Sequence, residues 1–237
     1  MTTRRVVATA ALAFVPVIIT GALAAAREPS FNILLFQALM VPLFLQVLVI
    51  FVVIVNSIAL VREEIDDQTL VYLTTRPISK PSIATYKFLG SVAANLILLV
   101  PPLILAYVIT VSYAGGSLGS DRDVLAGFLL TTALGVFAYG SFFGFLSVLL
   151  RKPLAVGLLF GFVWESIVGS IPGDVPKLSI IHYLKSILRD TISVGPLTNY
   201  PTDLSAGLAT GILVAFVAAM LVVTALVFQN MEFKQKE

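Results

Sequence analysis

Glu63, Glu64, Asp66 and Asp67 form the densest set of groups in this chain that could carry chemistry. Acids this close together can ligate a metal, share a proton as an acid–base pair, or present a charged face to a partner. The first two uses need further ligands to converge. The chain has no cysteine and one histidine, His182. That excludes disulfides, a thiol nucleophile, thiolate metal sites and His-rich metal sites. No G-x-S-x-G elbow, H-E-x-x-H pair or G-x-x-x-x-G-K-[ST] phosphate loop is present. A solvated face that docks a partner is therefore the reading these acids support.

The elements around them are apolar. Hydrophobic residues make up 58% of the chain, charged residues 12%, and the mean hydropathy is +1.01, where a soluble domain carries about 25% charged residues. This composition predicts an all-α integral membrane protein with one transmembrane domain over residues 1–237. Basic residues are dispersed at the ends of apolar runs and form no stripe, so no nucleic-acid partner is expected.

A crossing needs roughly 20 apolar residues, and on that measure the chain predicts six spans, at about 6–26, 33–61, 88–113, 124–150, 154–171 and 206–228. The first follows Arg4 and Arg5; it is long for the apolar region of a cleaved signal peptide, so a span is expected. The second is too long for one straight crossing and must tilt, kink near Pro42 or protrude. Pro101–Pro102 predicts a kink in the third, and the fifth is short. The spacings Gly140/Gly144, Gly157/Gly161 and Gly207/Gly211 permit close helix approach and read as ordinary packing.

Six spans put both termini on one side. With that side inside, the inner segments hold Arg4, Arg5, Arg62, Arg76, Lys80, Lys87, Arg151, Lys152, Lys234 and Lys236, against Arg27, Arg122, Lys177, Lys185 and Arg189 outside. The positive-inside rule then expects cytoplasmic termini in a multi-pass cell-membrane protein, with the acidic stretch in the cytoplasm.

That stretch has helical periodicity. Ile65, Thr69 and Leu73 recur every four residues with Leu70 beside them, opposite the acids. Pro77 ends the pattern, and Pro81 suits the first turn of the next helix. On the other side, Ser179–Ile192 places Ile180, Ile181, Leu184, Ile187, Leu188 and Ile192 on one arc and His182, Lys185 and Arg189 on the opposite edge. Ser179 suits an N-cap, and the helix is expected to lie on, or dip into, the outer membrane face.

Glu165, in F-V-W-E-S-I-V-G, falls near the outer end of the fifth span. An ionisable group within a span faces a cavity or a partner. Two readings stay open: a place on a translocation route or gate, or an ion pair with His182, Lys185 or Arg189 that pins the outer helix. The amides Gln46 and Asn56 are further candidates for the route, and Trp164 suits an interface anchor.

The phrase E-I-D-D-Q-T-L-V-Y-L-T-T-R-P-I-S-K-P-S-I-A-T-Y-K resembles the signature of ABC-2 type transporter permeases. The matching positions are Glu64, Asp66, Thr69, Leu70, Leu73, Pro77, Ile78, Ser79, Lys80 and Lys87. Gln68 stands where that family usually has glycine, which favours a continuous helix there. The resemblance implies a cytoplasmic coupling helix from about Glu63 to Thr75, with Glu63, Glu64, Asp66, Asp67, Thr69, Leu70, Leu73 and Arg76 contacting a cytoplasmic ATP-binding cassette ATPase subunit. It further implies a second permease copy (the same chain or a related one), a re-entrant outer helix between spans five and six, and export. The chain has no cofactor and no catalysis of its own in this reading; ATP and Mg would be bound by the partner. The competing reading is a six-span membrane enzyme or scaffold with no ATPase.

Overall fold

The computed structural model describes residues 3–66, 80–114, 119, 121–150, 152–169, 171 and 173–230; at 3–4, 59–66, 80–84 and 228–230 only the backbone is described. All regular structure among these residues is helical. Helices α1 (Thr3–Ala13) and α2 (Val15–Ala25) form one bent span, broken at Phe14 ahead of Pro16. Past Ala26, Arg27 turns left-handed at φ 53°. The Glu28 N–H then reaches back to the Leu23 carbonyl, ending the helix as a glycine would in this motif.

Asn32 caps α3 (Ile33–Met40), its Oδ1 accepting from the Leu34 and Leu35 N–H groups. The helix widens to π geometry over Val41–Leu48, where Pro42 removes a backbone donor, and returns to α form in α4 (Val49–Asp66). The expected kink near Pro42 is therefore a wide turn. Helix α5 (Lys80–Tyr113) runs 34 residues without a break in helical structure at Pro101 and Pro102 and begins before the expected start at residue 88. At 1.5 Å per residue it is about 50 Å long, well beyond ~30 Å of hydrocarbon. Helix α6 is Arg122–Leu149.

The expected fifth span at 154–171 is a short, composite helix. It consists of α7 (Pro153–Leu158), a π-helical stretch Leu159–Trp164, and α8 (Glu165–Val168). This apolar helix, Pro153–Val168, is shorter than the five helices that, among the described residues, are long and apolar enough to span: Arg5–Ala25, Ile33–Ile58, Thr85–Tyr113, Arg122–Leu149 and Ala206–Val227. After a 3₁₀ turn (Val175–Leu178) come α9 (Ile180–Thr191) and α10 (Ala206–Asn230).

Helices α3–α4 and α6 form the centre of the bundle. Phe36, Phe44, Leu45, Val49, Ile50, Val53 and Ile54 are buried around most of the α3–α4 circumference, as a helix surrounded by others requires. Helix α10 is peripheral, with Leu208, Val214, Val222 and Leu226 exposed. Of the three glycine spacings, Gly157/Gly161 is a close contact. A Cβ at Gly161 would come within 2.6 Å of Ile50 Cγ2, whereas Gly207 and Gly211 face open space.

The polar contacts sort the connections by end. Gln37 bonds to Val194, Asp123 to Ser193, and the Tyr113 hydroxyl to the Glu28 carbonyl. Residues 26–32, the end of α5, the start of α6 and residues 193–195 thus gather at one end of the bundle.

Candidate functional site

Glu165 is the first residue of α8 and is 2% exposed. Its Oε1 accepts the Ile180 N–H at 3.1 Å and its Oε2 the Ile181 N–H at 3.0 Å. These are the first two residues of α9, whose leading N–H groups have no partner within the helix and carry the positive end of its dipole. The carboxylate is therefore the cap of a different helix.

Ser179 does occupy the N-cap position, with extended backbone, but its side chain makes no cap. Its hydroxyl donates backwards to the Pro176 carbonyl. The fully buried Tyr139 ring brings its hydroxyl near the same carboxyl without reaching hydrogen-bonding geometry.

The expected ion pair between Glu165 and the basic edge of the outer helix is corrected accordingly. His182 Nδ1 is 2.8 Å from the Tyr200 hydroxyl. Burial, followed by Lys177 and Lys185, pushes the His182 imidazolium below its usual range. The Lys185 ammonium lies 5.7 Å from the Tyr200 ring centre. Burial lowers its pKa, and Glu165 acts on it through space in the opposite sense. Arg189 donates to the Thr202 and Leu204 carbonyls and to Asp190 Oδ1. Asp190 Oδ2 in turn accepts the Ala206 N–H at 2.7 Å, at the start of α10.

Helix α9 is not a surface helix. Ile180, Ile181, Leu184, Ile187 and Leu188 are buried against α6 and α10, and His182 is buried with them. The basic edge turns onto the returning chain at 198–204. A latch completes the placement: Gln37 Nε2 donates to the Val194 carbonyl, and Asp123 Oδ2 accepts from both the backbone and the hydroxyl of Ser193. Gly195 is required beside Gln37, because it has φ +156° and any Cβ there would run into the Gln37 amide.

Asn56 lies elsewhere, fully buried on α4. Its Nδ2 donates to Asn95 Oδ1 at 2.8 Å, Asn95 Nδ2 reaches Ser91 Oγ at 3.4 Å, and the Ser57 and Ser91 hydroxyls are 3.0 Å apart. This neutral cluster clamps α4 to α5. Gln46 is half-buried within the π-helical stretch and belongs to neither group.

Asn95, Ser91, Tyr200 and Asp190 escaped the sequence reading. Asn95 and Ser91 are one helical turn apart within a span, a spacing that flags a shared polar face. Of the acidic stretch, Glu63, Glu64 and Asp66 end the α4 backbone. Asp67, Thr69, Leu70, Leu73 and Arg76 lie outside the described residues. Among the described residues no group of three or more His, Cys, Asp or Glu side chains is placed to hold a metal. No protein-family model matches the chain, and no curated protein does either.

Proposed function

We propose that this chain is the transmembrane permease subunit of an ABC-2 type transporter, working as an exporter with ATP hydrolysed by a separate cytoplasmic subunit. The observation that carries the reading is the motif running from Glu64 to Lys87 between two apolar spans. Helices α4 and α5 support it by reaching that motif from either side as continuous helices. Charges on such a segment serve docking and register more than raw affinity. In this reading the short helix Pro153–Val168 counts as the sixth membrane-embedded segment and forms, with α9, the re-entrant element of the outer side. Two permease copies would assemble, and Gln46 would line the route near their interface. Glu165 and Asn56 have structural partners and are assigned positioning roles.

Co-purification tests this proposal. The tagged chain, purified from its native host, is expected to retain an ATP-binding cassette subunit through detergent extraction. Glu64→Lys and Asp66→Lys should insert normally and release it. A chain that purifies alone, or variants that retain the subunit with full coupled transport, would favour the reading without an ATPase.

A further inference from the structure

A cleft of about 910 Å³ opens between Ile171, residues 173–177, α9 and the returning chain at 198–203. Its charged lining sorts by depth. At the mouth, Asp174 and Lys177 pair with each other at 2.5 Å, and Asp203 is exposed. Further in, Lys185 is half-buried beside the Tyr200 ring, and its ammonium donates no hydrogen bond to any described residue. Glu165 lies behind the wall, but both its oxygens are taken by backbone N–H groups. His182 lines the same cleft, 3% exposed, with Nδ1 engaged by Tyr200 and Nε2 unpartnered. Where the Tyr200 hydroxyl donates to Nδ1, Nε2 carries the proton and becomes a second unused donor.

A half-buried ammonium with no hydrogen bond to the protein gains from a charge-assisted bond to an anion, and His182 Nε2 beside it is buried without a partner. Ile171, Pro176 and Pro201 add apolar walls beside these donors, and the volume falls within the range of roughly 300–1,000 Å³ typical of ligand sites. We propose that this cleft binds the phosphate group of an anionic amphiphile, with Lys185 as its principal contact and the apolar walls taking the adjoining chain. The site stands independently of the permease reading, since it needs no ATPase and no second copy.

The test uses the full chain purified in a zwitterionic detergent. Melting temperature is followed while phosphatidylglycerol, phosphatidylcholine or inorganic phosphate is titrated in, because a ligand that binds the folded state raises it. Saturable stabilisation by phosphatidylglycerol and little by phosphatidylcholine is expected. Lys185→Gln should weaken the apparent affinity at least tenfold and Lys185→Arg should largely restore it. Asp203→Asn, at the exposed mouth, should tighten binding two- to threefold and stands in if Lys185→Gln does not fold. Saturation by inorganic phosphate with the same dependence on Lys185 and Asp203 would keep the phosphate site and make a free anion the ligand. Equal stabilisation by phosphatidylcholine, or binding indifferent to both Lys185 and Asp203, would overturn the proposal.

Discussion

Glu165 and Asn56 are both polar residues buried in an apolar bundle, and they are accommodated by opposite means. Glu165 brings a carboxylate to the start of another helix and spends both oxygens on backbone N–H groups that had no other partner. Asn56 meets side chains only, through a chain of neutral amides and hydroxyls that runs from α4 to α5, and its Oδ1 is left without a partner. The first arrangement fixes where a short helix begins. The second fixes the facing register of two long ones. Removing the carboxylate leaves orphaned backbone groups that nothing else can satisfy, whereas removing an amide leaves a side chain that can turn or be replaced along with its partner.

The largest expected effect follows from that asymmetry. Glu165→Leu should cost about 3 kcal/mol, the upper range for a buried charge-assisted bond, and Glu165→Gln about half, because one amide oxygen still accepts. Thermal melting in detergent measures both. If Lys185→Ala or Arg189→Ala shares the loss non-additively, an ion-pair network replaces the cap.

Gly161→Val comes next, since its Cβ would press on Ile50 between the two systems. Overpacking of this kind costs about 1–3 kcal/mol, while Gly211→Val should be silent. Asn95→Leu or Asn56→Leu should each cost about 1 kcal/mol, in the range of side-chain bonds within membranes. The double variant should cost clearly less than the sum; additivity would mean the two amides do not act together. A smaller effect is expected from pH. Burial and two neighbouring lysines hold the His182 pKa below its unfolded value, so the unfolded chain binds the proton better. Stability should therefore fall as pH drops below about 6.5, with a shallower fall in His182→Gln. Smallest of all, Ser179→Ala should cost under about 0.5 kcal/mol, because its hydroxyl bonds to Pro176 rather than to the helix it precedes; a loss nearer 1 kcal/mol is what a true cap would give.

The long helices were legible because hydropathy and length alone define them. The register of α9 was legible too, since its apolar residues recur every three or four positions. What that pattern could not say is which surface they meet: an amphipathic helix reads alike against lipid and against α6. Ser179 was placed correctly at the N-cap yet makes no cap, because a buried carboxylate from a segment fifteen residues earlier reached the site instead. Such a contact leaves no local trace. Pairing between Asn56 and Asn95 was hidden for a related reason, since the partner of an intramembrane amide lies across a helix interface whose rotation sequence does not supply.

The wide stretch at Val41–Leu48 bears on how this gene can change. A π-helical segment closes i→i+5 hydrogen bonds and so winds more widely than the α-helices on either side. Each residue of an α-helix turns the chain by about 100°. Deleting one codon there, and letting the helix relax to ordinary winding, would rotate everything beyond it by that amount unless the upstream turn moved instead. Asn56 and Ser57 would swing off Asn95 and Ser91, and Ile50 and Ile54 would leave Gly161. The same deletion in α10, many of whose large apolar residues are exposed, would displace fewer buried side chains. Reading-frame-preserving indels should therefore be purged from codons 41–48 and tolerated in α10, a contrast that deletion scanning can read directly.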